Sequence, residues 1–176
     1  MQSISMTYSK RHLFLLTSIA WLAMLGFDFL LHATILAGLY LQPDPFLLPP
    51  LEAFRLIPVG YLSFLLLTIL LVWLMTRMRL AGWRAGAIFG LKLGGLTWGS
   101  FMLGLLSIST ASFALLLGWF IGQTLELALA GAVIGSGLAG TRLRRLFGIV
   151  LVFVLLAVIA TIVLQSLGVV PTTRIS

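Results

Sequence analysis

The chain has 176 residues, 61% of them hydrophobic and 9% charged. A soluble domain carries about 25% charged residues, and with so few this chain could not cover an apolar core in water. Its net charge of +7 would suit nucleic acid, but the Lys and Arg residues fall in short clusters between apolar runs and no basic face carries interleaved aromatics, so the partner is the lipid bilayer and not nucleic acid. The absence of cysteine excludes disulfides, thiolate zinc sites, iron–sulfur clusters and thiol nucleophiles. The two histidines leave little for metal, and neither a metal nor a cofactor is expected.

Five apolar runs follow in chain order, at 13–41, 57–75, 85–107, 111–139 and 146–167. A hydrocarbon core about 30 Å thick takes about 20 residues per helix. Backbone groups in lipid must be satisfied within the segment, and runs this long and uniformly apolar do not alternate as barrel strands do. The expected fold is all-α: a polytopic membrane protein with five transmembrane helices in one domain over residues 1–176.

The first run follows Lys10 and Arg11. A signal peptide with cleavage among the small residues 33–37 is the rival reading, but the apolar segment exceeds the usual length and Asp28 interrupts it, so the helix is expected to be retained. Asp28 and His32 share one helical face at a spacing of four. The loop that follows, QPDPFLLPPLEAFRLIP, holds five of the six prolines. Residues 42–50 should therefore run extended, residues 51–56 should form a short interfacial turn, and Pro58 should occupy the first turn of helix two. Helix three carries Gly82, Gly86, Gly90 and Gly94 at intervals of four, and helix four carries Gly118, Gly122, Glu126 and a second small row at Gly131 and Gly135. Small residues at this spacing let helix backbones approach closely in lipid, so helices three and four are expected to touch. Gln165 is expected at the outer interface of helix five.

Arg77, Arg79 and Arg84 lie between helices two and three, and Arg142, Arg144 and Arg145 between four and five, all on the side of Lys10 and Arg11. The other side carries Asp44, Glu52, Arg55 and the tail residue Arg174. Basic residues are retained in the cytoplasm, which places the N-terminus inside and the C-terminus outside a cytoplasmic (inner) membrane.

Counting helical rise from the basic side sets Asp28 about 25 Å above Arg11 and Glu126 at nearly the same height above Arg142. Tyr61 and Ser63 on helix two and Trp98 and Ser100 on helix three fall near that level, with Gln123 one turn beyond Glu126. A charge at this depth costs on the order of 2.5–3.5 kcal/mol and must be paired, neutralised or hydrated. Asp28, His32 and Glu126, with Gln123 and Tyr61 beside them, thus form the candidate binding site for a proton or a substrate. Two carboxylates facing each other there cannot both stay charged. No Ser-His-Asp spacing, HExxH, P-loop or dinucleotide fingerprint appears, and no enzymatic activity is expected. The expected function is proton-linked transport or binding of a small cationic or amphipathic solute. So short a chain suggests a homodimer, and the alternative is a non-catalytic accessory or assembly subunit of a larger membrane complex.

Overall fold

The computed structural model describes residues 8–41 and 45–171. Gln42, Pro43, Asp44 and Arg174, which entered the loop and charge readings, lie outside the described residues. The fold is all-α, with five helices long and apolar enough to cross a membrane: α1 Lys10–Leu30, α2 Pro50–Arg77, α3 Trp83–Ile108, α4 Phe113–Leu138 and α5 Leu143–Ser166. α1 packs on α2, α4 and α5, and α3 covers a further face of α4. Leu16, Met24, Leu71, Met75, Leu127 and Ile134 are fully buried where α1, α2 and α4 meet.

Two expectations need correction. The first run is not one helix over 13–41. Past Leu30 the chain widens into a π turn, Leu31–Ile35, and then tightens into a 3₁₀ turn, Ala37–Leu41. The Leu36 amide reaches back five residues to the Leu31 carbonyl at 2.9 Å, so the ordinary ladder is lost there. Other groups bond the carbonyls of this segment: the Thr34 hydroxyl donates to Leu30 and the Gln165 side-chain amide of α5 donates to Ala33 at 3.1 Å. Gln165, expected at the interface, therefore ties α5 to the break in the first run.

α2 also starts earlier than expected, at Pro50 instead of 57, and residues 51–56 are its first turns and not a separate interfacial element. Pro50, not Pro58, takes the position where a missing amide costs nothing. Pro58 lies inside the helix. The stretch around it, 51–60, is exposed throughout. The charges of Glu52 and Arg55 hide this extension from a hydropathy reading.

The closest helix contact is between α3 and α4. A Cβ added to Gly86 would collide with the Gly131 carbonyl, one on Gly90 with the Leu127 carbonyl, and one on Gly94 with the Thr124 backbone. The pairing runs in opposite order along the two helices, as a hairpin through residues 109–112 requires. At its far end Gly82, with φ +98°, adopts a conformation that favours glycine and donates its N–H to the Gly135 carbonyl at 2.7 Å. Gly118 and Gly122 look elsewhere: they receive the Leu36 and Leu31 side chains from the end of the first run. The two small rows of α4 thus serve two different neighbours.

Gly90→Ala should lower the unfolding free energy by about 1–3 kcal/mol, the usual cost of overpacking. Gly104→Ala, where added atoms meet nothing within 4 Å, should stay within about 0.5 kcal/mol of the parent. Unfolding in mixed detergent micelles followed by circular dichroism measures both.

Candidate intramembrane site

Asp28 lies in the last turns of α1, His32 in the π turn that follows, and Glu126 in the middle of α4. One ligand atom from each lies within 4.8 Å of the other two. The structure therefore brings together two carboxylates and an imidazole from distant parts of the chain. His32 Nε2 is 3.2 Å from Asp28 Oδ1. Gln123, one turn from Glu126, directs its Nε2 to Glu126 Oε1 at 3.4 Å.

Burial makes this cluster unusual. Glu126 has 0% of its surface exposed and Gln123 only 7%, and neither Glu126 Oε2 nor Gln123 Oε1 has a hydrogen-bond partner. An ionised carboxylate with an unpartnered oxygen is among the costliest groups to bury. Such a group demands a proton or a cation.

Beside His32 and Gln123 is a partly open cavity of about 190 Å³ with an apolar lining, with Phe64, Trp98, Phe101 and Trp119 among its walls. About 150 Å³ suffices for a benzene-sized guest. Phe46, in the turn that leads to α2, tilts against Trp119 at a ring separation of 6.2 Å.

The imidazole is oriented by residues that the sequence reading did not select. Trp119 Nε1 is 2.7 Å from the Tyr40 oxygen, which is 2.5 Å from His32 Nδ1. Burial, reinforced by the nearby carboxylates and opposed by the Trp119 bond, pushes the Tyr40 phenol above its ordinary range, so it keeps its proton. An indole nitrogen can only donate. Tyr40 therefore accepts from Trp119 and donates to His32 Nδ1, which leaves the Nε2 hydrogen for Asp28. In a continuous helix Tyr40 would lie about 12 Å along the axis from His32. The break in the first run brings it back into contact, and that break has no signature in the hydropathy.

Tyr61, expected in the site, lies near enough to Asp28 to feel its charge, and its backbone carbonyl accepts from Trp21 Nε1 at 2.9 Å. Ser63 and Ser100 are exposed and do not join the cluster. Gly118 and Gly122 contribute by seating the π turn against α4. The chain matches no model of a known protein family, no curated protein and no solved structure.

Tyr40→Phe leaves His32 Nδ1 and Trp119 Nε1 without their shared partner and should lower stability by about 1–3 kcal/mol. In the parent, ¹⁵N spectra of labelled histidine should show His32 with its hydrogen on Nε2, and the substitution should disturb that preference.

Proposed function

We propose that this is a non-enzymatic protein of the cytoplasmic (inner) membrane that binds a small cation between Asp28 and Glu126 and exchanges it with protons across the bilayer. The observation that carries the reading is the fully buried Glu126 carboxylate, with one oxygen unpartnered, beside a second carboxylate and an imidazole. In a medium of low dielectric the cluster is cheapest when its net charge is near zero, so a proton and a cation compete for the same oxygens. The adjacent cavity supplies room for an incoming solute, and its aromatic walls favour a positive one.

The break between α1 and Leu41 gives the site a part that can move. A π turn held by side-chain bonds from Thr34 and Gln165 is less tightly tied than a regular helix, while the α3–α4 pair forms a stiff wall. Movement of the Asp28–His32 segment against α4 would open one side of the site. A homodimer would supply the surface that a chain of this length lacks for two-sided access.

Two experiments test this. In proteoliposomes loaded with a pH dye, an inward gradient of the transported cation should make the lumen alkaline, and Glu126→Gln should abolish the response. Equal responses in parent and variant, or none in the parent for any cation of an inorganic and organic panel, would remove the reading. The basic loops predict an inside N-terminus and an outside C-terminus: alkaline phosphatase fused after residue 176 should be active, and the same fusion in the 77–84 loop inactive.

A further inference from the structure

We infer that the cation held by Asp28, His32 and Glu126 is a divalent first-row transition metal ion. The inference rests on the cation-binding reading above and names the class of ion.

The donor set is the first argument. One imidazole nitrogen and two carboxylates within 4.8 Å of one another are close to the spacing that metal bonds of about 2.0–2.2 Å impose on their ligands. Adjacent ligands on one such ion lie about 3–3.6 Å apart, and the Asp28–His32 separation is already 3.2 Å. Nitrogen and oxygen donors without thiolate suit manganese, iron, cobalt or zinc. Gln123 and Glu126 supply the independent observation: Glu126 Oε2 and Gln123 Oε1 are both buried and unpartnered, and the Gln123 amide nitrogen points at Glu126, so Gln123 stands next to the three ligands as a candidate fourth donor.

The second argument is the support behind the histidine. A metal-bound imidazole is held by a hydrogen bond at its other nitrogen. His32 has that support from Tyr40, itself held by Trp119. With an ion on Nε2, the ring hydrogen lies on Nδ1 and is donated to the Tyr40 oxygen. Recognition of an organic ammonium needs no such fixed ring.

The third argument is access. The cavity touches His32 and Gln123, but among the described residues Asp28 and Glu126 are not part of its lining. The cavity gives an approach to the site, while the three ligand atoms, all within 4.8 Å of one another, enclose a space suited to a bare ion and not to an organic cation. Two carboxylates also match the charge of a divalent ion, and a neutral complex is what the bilayer favours.

Untagged full-length protein in detergent should be titrated with Co²⁺ and read by visible absorption, and with Mn²⁺ read by electron paramagnetic resonance. One ion per chain is expected. Affinity should fall at least tenfold in His32→Gln and in Glu126→Gln and about 10–100-fold in Tyr40→Phe, and should be unchanged in His12→Gln, which removes the other histidine. Binding that ignores His32 and Glu126 would overturn the assignment. So would the absence of metal binding in the parent. If tetraphenylphosphonium then binds in a Glu126-dependent way, the metal assignment falls and the cation reading stands. Metal binding at these residues with no flux in proteoliposomes would uphold the site and remove transport.

Discussion

A carboxylate beyond the reach of water must be matched by a proton, a cation or a set of donors, and Glu126 sits in a helix that offers it only the amide of Gln123. The remaining demand falls on whatever packs opposite. What packs opposite is the end of the first run, and it is there that the fold departs from a plain bundle of straight helices. The π turn, the 3₁₀ turn and the Tyr40–Trp119 pair are gathered within a short distance of that one side chain.

The small residues of α4 make this juxtaposition possible in two ways. One row lets α3 lie against the α4 backbone, so closely that single methyl groups at Gly86 or Gly90 would strike carbonyl oxygens. Packing of that kind supplies association where hydrophobic attraction between helices is absent. The other row, Gly118 and Gly122, makes hollows for Leu36 and Leu31 and so holds the irregular segment at the height of Glu126. A wall fixed by backbone contact and a partner held by side-chain bonds give the site one rigid side and one side with some freedom.

Some of this is legible in the sequence because it depends on periodicity and composition. Five apolar runs follow from the length that a bilayer requires, and the common height of Asp28 and Glu126 follows from counting rise per residue. The rows of glycine announce close packing but not which row meets which helix, since Gly118 and Gly131 look alike to a four-residue repeat. The unwinding after Leu30 is hidden because His32 and Thr34 stand inside an apolar run that a hydropathy reading carries through to Leu41. The roles of Tyr40 and Trp119 depend on that unwinding and were hidden with it. Pro58 shows the opposite: a proline invites a helix boundary at its own position, but the earlier Pro50 already supplies the start of α2. Counting histidines along the chain also gave no hint of a ligand cluster, because one imidazole is enough when carboxylates arrive from two different helices.

The account stands on direct interaction between Asp28 and Glu126, and a double-mutant cycle measures it. Asp28→Asn, Glu126→Gln and the double variant are unfolded beside the parent under identical detergent conditions. Residues that share one site should show a coupling above about 0.5 kcal/mol, whereas independent positions add within about 0.3–0.5 kcal/mol. A clear coupling is the predicted result, and strict additivity would contradict the account.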